Sequence, residues 1–150
     1  MPVTEQPHAS TQSARRRGTG VGRVLVAVYA ILALAALGRS IFQIIDRFDE
    51  APVAFLLSLL AGVVYVVATV AIAARWRRLA WVTISAELLG VLVVGTITVL
   101  APHLLGLHAN DPFGRTATVW STYGAGYLGI PLVLPILGLL WLARSRVAKG

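Results

Sequence analysis

The sequence predicts an all-α polytopic membrane protein whose core is a bundle of four transmembrane helices. Two observations lead to this fold class. The 150-residue chain is 57% hydrophobic and only 13% charged, whereas about a quarter of the residues in an average soluble domain are charged. The apolar residues also form long continuous runs, each close to the roughly 20 residues that cross a bilayer as one helix. Barrel strands alternate apolar and polar residues over about ten positions, so these runs predict helices.

Residues 1–22 precede the first apolar run and differ from it in composition. They are polar, rich in Pro, Gly, Ser and Thr, and basic towards their end. Such a segment cannot bury enough apolar surface to order itself, so we expect a disordered basic cytoplasmic tail. The first span covers residues 24–45. Its basic start and Ala33-Leu34-Ala35 also resemble a secretory signal peptide. Cleavage is therefore an alternative, although the apolar residues that continue beyond this tripeptide favour a span.

The second and third spans follow with short connections. The second covers residues 53–74, contains no charged residue and begins after Pro52, which suits the first turn of a helix. The sequence Arg75-Trp76-Arg77-Arg78 follows at once and leaves room only for a tight cytoplasmic hairpin. The third span covers residues 79–101 and carries Glu87.

The fourth span, residues 119–143, is rich in residues that weaken helices, namely Gly124, Gly126, Gly129, Pro131 and Pro135. Proline has no backbone N–H to donate, so we expect a kink near residues 129–131. A plain kink is the favoured interpretation, and a broken helix that lines a binding site is the alternative. A basic cytoplasmic tail of residues 144–150 follows, so the transmembrane domain covers residues 23–143.

The basic residues predict the orientation of the spans. Ten of the 13 Lys and Arg residues fall in the N-terminal segment up to Arg23, in the turn between the second and third spans, or in the C-terminal tail. Cytoplasmic segments carry the excess of Lys and Arg, so we expect a multi-pass plasma-membrane protein with both termini in the cytoplasm. Trp76, Trp81 and Trp141 would then lie at the inner interface and Trp120 at the outer one, where amphipathic rings prefer to lie.

Glu87 and Tyr65 are candidate functional residues because polar groups inside the membrane are costly. Glu87 is expected about 12 Å from the inner end of its helix, and Tyr65 at nearly the same depth. Small and polar residues accompany both at helical spacing, so we expect the two helices to face each other and Glu87 to bond Tyr65. Desolvation favours the neutral form of Glu87. A carboxyl that holds two helices together is the favoured interpretation, and a proton- or cation-binding site is the alternative.

Arg39 is the second ionisable residue within a span, about 22 Å from the inner end of its helix. Gln43 and Asp46 follow on the same face. One hypothesis is that Arg39 bonds the carbonyl of Tyr127, because Pro131 denies that carbonyl its helical donor. Snorkelling of Arg39 towards Asp46 or lipid phosphate is an equal alternative, and a site for an anionic headgroup or a substrate phosphate is a third.

Several patterns that could suggest a cofactor do not fit one. Residues 124–129 match G-x-G-x-x-G but lie in an apolar run rather than in a βαβ unit, so no nucleotide is expected. The net charge of +7 is placed at the span ends, so no nucleic acid is expected either. His103, His108 and Asp111 lack the spacing of metal ligands, and the chain has no Cys. We expect no cofactor, no metal and no catalytic residue.

Three segments carry a resemblance to known proteins. APVAFLLSLLAGVVYVVAT (51–69), ELLGVLVVG (87–95) and TVWSTYGAGYLGIPLVLPILGLLWL (118–142) are similar to small four-span integral membrane proteins of unknown function from actinobacteria. The resemblance covers residues 38–142 and leaves out both tails. It implies a plasma-membrane protein with four spans, and it implies no activity.

The sequence therefore favours a protein that is not an enzyme. We expect an accessory or structural subunit that packs in the lipid bilayer with itself, as a homo-oligomer, or with a larger membrane complex. The alternative is a small oligomeric transporter or channel that uses Glu87 and Arg39. A third possibility is an enzyme that acts on lipid headgroups with Arg39 and the acidic residues between positions 46 and 50.

Overall fold

The structure is a computed structural model that describes residues 9–107 and 116–147, with side chains described for residues 20–107 and 116–145. Within these ranges the chain is helical and has no strand, which confirms the predicted all-α class. The long helices are α1 (Ala9–Arg47), α2 (Pro52–Ala73), α3 (Arg77–Leu100) and α4 (Ile130–Val147). Short 3-10 helices lie at Phe48–Glu50, Pro102–Leu105 and Ser121–Tyr127.

Three helical segments of the described chain are long and apolar enough to cross a membrane. They are Gly20–Glu50, Pro52–Ala73 and Arg77–Leu100, with mean hydropathies of 2.2, 2.5 and 2.0. Ser121–Tyr127 and Ile130–Ser145 meet the same test only as a pair, and they are bent by 98°. The described residues therefore hold three membrane-length helices, or four if the bent pair forms one span.

The first helix starts earlier than the sequence predicts. α1 begins at Ala9, so residues 9–22 are helical although they were expected to belong to a disordered tail. Adding residues to an existing helix costs far less than nucleating a new one, and the apolar part of α1 supplies that existing helix. Residues 1–8 lie outside the described part of the chain.

The connection between α2 and α3 is the tight turn that the sequence predicts. The amide of Trp76 donates to the carbonyl of Ala71 at 2.8 Å, and the amide of Arg75 donates to the carbonyl of Ile72 at 3.2 Å. This pair of bonds is a Schellman motif, which ends a helix on a left-handed residue. Arg75 takes that conformation with φ 60.

Contacts at the helix ends bring the start of the apolar part of α1, the start of α3 and the end of α4 together. The guanidinium of Arg77 donates to the carbonyls of Leu142 at 2.9 Å and Ser145 at 3.3 Å. These carbonyls belong to the last turns of α4, where helical donors run out. Trp141 also covers α1, because a Cβ added at Gly22 would lie 2.9 Å from Cζ2 of its ring.

The core lies between helices that pack through small residues. α1 packs along α2, while α3 packs against α2, α4 and the Ser121–Tyr127 turn. The buried face of α2 repeats at the spacing of a helix, with Ala54, Ser58, Ala61, Gly62, Tyr65 and Ala68. A Cβ added at Gly62 would lie 3.2 Å from the backbone nitrogen of Leu37. The small residues therefore let the α1 and α2 backbones approach closely, as they do in membrane helix pairs.

Candidate functional site

Glu87 lies in the centre of the core. It is fully buried because it shares the inward face of α3 with Thr83, Ile84 and Val91, which are spaced by three or four residues. Its Oε2 accepts a 2.7 Å hydrogen bond from the hydroxyl of Tyr29 on α1. The prediction that Glu87 is buried among neighbouring helices is therefore confirmed.

The predicted partner of Glu87 is wrong. The phenol that bonds the carboxyl is Tyr29, which the sequence analysis did not select. Tyr65 is fully buried, but its hydroxyl accepts a 3.0 Å hydrogen bond from Nε1 of Trp120. The two tyrosine rings meet at a centroid distance of 6.2 Å and an angle of 53°. A tilted arrangement at this distance is favourable for aromatic rings.

We call Tyr29, Tyr65, Glu87 and Trp120 the polar cluster. Its members come from α1, α2, α3 and the segment before α4, which comprises residues 116–129. α4 borders the cluster through Gly138, where an added Cβ would lie 3.5 Å from the hydroxyl of Tyr29. The polar cluster thus links every long helix of the described chain, either by a hydrogen bond or by contact.

Glu87 and Ser58 each carry a buried oxygen that lacks a partner within the described part of the chain. Among the described residues, neither Oε1 of Glu87 nor Oγ of Ser58 has a hydrogen-bond partner. The ion pair found in the same ranges joins Arg47 to Asp46 at 3.2 Å, so no described cation offsets the carboxyl of Glu87. A buried charge with one hydrogen bond and no counter-ion is strongly disfavoured.

The segment before α4 holds Trp120 in place. The side chain of Thr118 accepts from the amide of Trp120 at 3.1 Å, and Oγ of Ser121 accepts from the amide of Thr118 at 2.8 Å. Such local bonds from hydroxyl side chains compete with helix and favour turns. Trp120 was expected at the outer membrane interface. The turn directs its ring into the core of the protein, where it is only 4% exposed, and its depth in the membrane stays a prediction.

The backbone is strained where this segment turns. Thr122, Tyr123 and Gly124 have φ values of 49, 58 and 79, and Leu128 has φ 58. Left-handed conformation is costly for residues that carry a Cβ, so contacts must hold it. The predicted kink near residues 129–131 is confirmed in position, since α4 begins at Ile130. It is, however, a break with a 98° bend rather than a plain kink.

Two glycines of α3 form the surface on which this segment rests. A Cβ added at Gly90 would lie 2.7 Å from the Trp120 ring, and one added at Gly95 would lie 2.8 Å from the backbone nitrogen of Tyr123. The hydroxyls of Tyr123 and Thr96 are 3.1 Å apart and hydrogen bonded. The strained turn is therefore seated on α3 at Gly95, while Trp120 covers Gly90, three residues from Glu87.

Arg39 turns towards the segment before α4, but its acceptor differs from the prediction. Its Nη2 donates to the carbonyl of Ala117 at 3.2 Å, whereas the predicted acceptor was the carbonyl of Tyr127. Tyr127 is the last residue of its 3-10 helix and is partly buried against the core. Asp46 pairs with Arg47 instead of Arg39.

Gln43 lies on the same face of α1 as Arg39. Its side chain is buried, with 4% exposed. Arg39, Phe42, Gln43 and Arg47 line a groove of about 270 Å³. Their spacing of three, four and eight residues from Arg39 places them along one side of the helix. Gln43 is not part of the polar cluster, although Tyr29 of that cluster lies on the same helix.

The loop after α3 is described only in part. His103 is exposed, while His108 and Asp111 lie outside the described residues. Within the described ranges, no group of three or more His, Asp or Glu side chains could hold a metal ion. Comparisons with protein-family models, curated proteins and solved structures find no match for this chain.

Proposed function

We propose that the protein is an integral membrane protein without catalytic activity, which acts as an accessory or structural subunit. The bent pair Ser121–Tyr127 and Ile130–Ser145 would form a fourth crossing beside the three membrane-length helices. Arg77 holds the end of α4 beside the turn between α2 and α3, which supports an even number of crossings. The basic residues then favour both termini in the cytoplasm.

One observation carries this proposal: three polar side chains of the interior each form a hydrogen bond to a different element of the structure. Tyr29 bonds Glu87, Trp120 bonds Tyr65, and Arg39 bonds the carbonyl of Ala117. Polar groups that face each other between helices stabilise helix association in lipid. The side chains that would be expected to carry a reaction are thus used to hold the helices together.

The outward faces support a partner within the membrane. Large apolar side chains cover them, among them Ile31, Leu34 and Ile45 on α1, with 65%, 74% and 81% exposed. The connections between α1, α2 and α3 are short and offer little polar surface for recognition outside the bilayer. A second copy of this chain or a larger membrane protein could therefore pack against these faces. The resemblance of three segments to small actinobacterial membrane proteins supports a bacterial plasma membrane as the location.

The native mass of the particle tests the proposal. A tagged full-length chain would be extracted from its own membrane in a mild detergent, and the mass of the intact particle would be measured. A larger membrane protein present in fixed ratio, or a stable homo-oligomer without transport activity, is expected. A folded monomer that associates with no other membrane protein would contradict the proposal.

A small oligomeric transporter or channel is a second candidate, and the broken segment before α4 favours it. Transporters build their sites from broken helices near the middle of the membrane, and here the segment before the break places the Trp120 ring on Gly90, three residues from Glu87. Reconstitution into vesicles tests it. Ion or proton flux that Glu87→Gln abolishes, in a variant that still inserts and folds, would favour transport over the subunit function.

A further inference from the structure

We propose that Glu87 is a proton-binding site, and that its bound proton keeps the broken segment before α4 seated on α3. The site consists of the polar cluster already defined. This inference goes beyond the proposed function, because it applies equally to a structural subunit and to a transporter.

Burial and bonding indicate a neutral carboxyl. Glu87 is fully buried, and Oε2 accepts a single hydrogen bond, from Tyr29 at 2.7 Å. Its Oε1 has no partner within the described residues. An ionised carboxylate in such a place would need several donors or a counter-ion, and the described chain supplies neither. Oε1 is therefore the atom that carries the proton.

The cluster fits a proton better than a metal cation. Hard cations such as Ca²⁺ and Mg²⁺ take about six or more oxygen ligands. Here the oxygens are those of Glu87, Tyr29 and Tyr65, and the Tyr29 hydroxyl hydrogen points at the carboxyl. Trp120 contributes an N–H group, which can only donate. These hydrogens would repel a metal ion, while a proton needs only the free Oε1.

The described residues of the neighbouring elements present no basic group that would compete for this role. α1 contributes Tyr29 and α2 contributes Tyr65 to the surroundings of Glu87. The segment before α4 contributes Tyr127, which lies close enough to Tyr65 to interact with it electrostatically. α4 contributes Gly138. No Lys, Arg or His among the described residues forms an ion pair with Glu87.

Contacts within the polar cluster link the protonation of Glu87 to the position of the segment before α4. Trp120 covers Gly90, three residues from Glu87 on α3, and donates to Tyr65. Tyr65 in turn contacts the ring of Tyr29. When the O–H bond of Glu87 breaks, the proton leaves to water and the carboxylate requires additional donors. We expect the hydroxyl of Tyr65 to become such a donor, and its movement would break its bond with Trp120.

The strained turn gives the segment before α4 two alternative conformations, one in contact with α3 and one released from it. Thr122, Tyr123 and Leu128 hold left-handed conformations that persist only while surrounding contacts enforce them. Trp120 on Gly90 and Tyr123 on Gly95 are those contacts. When Trp120 moves away from Gly90, the turn loses one of these two contacts. The conformation of the segment before α4 therefore changes when Glu87 becomes charged.

Infrared spectroscopy of the full chain in lipid nanodiscs tests the proton itself. The difference spectrum between the natural protein and Glu87→Gln at pH 7 isolates the Glu87 carboxyl from the other acids. The carbonyl stretch of a protonated carboxylic acid is expected in the natural protein only. A carboxylate band in its place would overturn the proposal.

Two further measurements test the hydrogen bond between Tyr29 and Glu87 and the coupling of Glu87 to the segment before α4. Tyr29→Phe should keep the acid band but shift its frequency, because the hydrogen bond to Oε2 is lost; an unshifted band would overturn the assignment.

In a variant with Trp76, Trp81 and Trp141 replaced by Phe, the fluorescence emission of Trp120 should move to longer wavelength at alkaline pH. The same variant with Glu87→Gln should show no such change. A flat response in both would overturn the coupling between proton and segment.

Discussion

The hydroxyl of Tyr29 lies 2.7 Å from Oε2 of Glu87 and joins α1 to α3 through the centre of the protein. α1 packs mainly along α2, and α3 packs against α2 and α4. The bond between Tyr29 and Glu87 therefore connects two helices whose backbones do not adjoin closely. Loss of this bond would remove the direct hydrogen bond between α1 and α3.

Removing the Tyr29 hydroxyl should destabilise the protein. Tyr29→Phe keeps the ring against Tyr65 but leaves Oε2 of Glu87 without a donor. The expected loss in the free energy of unfolding is about 1 kcal/mol, between the values for hydrogen bonds within membranes and for unpaired buried groups. Reversible unfolding in mixed micelles measures it. The matched control is Tyr123→Phe, which loses only the partly buried bond to Thr96 and should cost less. Equal losses in the free energy of unfolding would mean that the bond between Tyr29 and Glu87 stabilises the protein no more than the bond between Tyr123 and Thr96.

Trp120 and Tyr65 should show coupled effects. Trp120→Phe removes the N–H donor and Tyr65→Phe removes its acceptor, so the double variant should be less destabilised than the sum of the two single variants. A coupling free energy of about 0.5–1.5 kcal/mol is expected for such a bond. Trp120→Ala should cost more, about 3–5 kcal/mol, because it also leaves a cavity. Additive single effects would show that the two side chains do not bond.

Gly90 should not tolerate a methyl group. A Cβ there would lie 2.7 Å from the Trp120 ring, and overpacking of this kind costs about 1–3 kcal/mol. The matched control is Gly38→Ala on α1, where nothing lies within 4 Å of the added Cβ. Alanine favours helix over glycine by up to about 1 kcal/mol, so Gly38→Ala should be neutral or stabilising. Thermal unfolding of both variants in one detergent makes the comparison. If both substitutions raise the melting temperature, the Trp120 ring does not rest on Gly90 of α3.

Arg39 should contribute to stability through the carbonyl of Ala117. Arg39→Leu keeps apolar volume in the C-terminal part of α1 but removes the donor at 3.2 Å. A hydrogen bond that involves a charged group contributes about 1.5–3 kcal/mol when buried, and somewhat less is expected here because Arg39 is only partly buried. The melting temperature in detergent should therefore fall. An unchanged melting temperature would rule this contact out.

The helical parts of the fold could be predicted from the sequence, whereas the broken segment could not. The spans expected at 53–74 and 79–101 correspond to Pro52–Ala73 and Arg77–Leu100, because their apolar length and their Pro and Arg boundaries are local signals. The break before α4 was placed correctly by its Gly and Pro residues. Its 98° bend depends on contacts of Trp120 and Tyr123 with α3, which composition does not show.

The polar site was predictable in part for a similar reason. Glu87 stands out because an acid within an apolar run is costly, and Tyr65 was placed at its depth. Tyr29 was missed although it is the one polar side chain between residues 24 and 38, a signal that could have selected it. Which of two tyrosines reaches Glu87 depends on helix rotation, and the sequence leaves that open. The four crossings and the cytoplasmic termini stay predictions.

Labelling of single cysteines would test most directly whether the broken segment and α4 together complete a fourth crossing. The chain has no Cys, so Asp49→Cys, Trp76→Cys and Arg144→Cys each introduce one thiol, at positions that are exposed in the structure. A maleimide that does not cross membranes would be applied to right-side-out and inside-out vesicles. We predict that Asp49→Cys reacts from the outside, and that Trp76→Cys and Arg144→Cys react only from the cytoplasmic side. Reaction of Arg144→Cys from the same side as Asp49→Cys would contradict the account, because α4 would then end on the outer side.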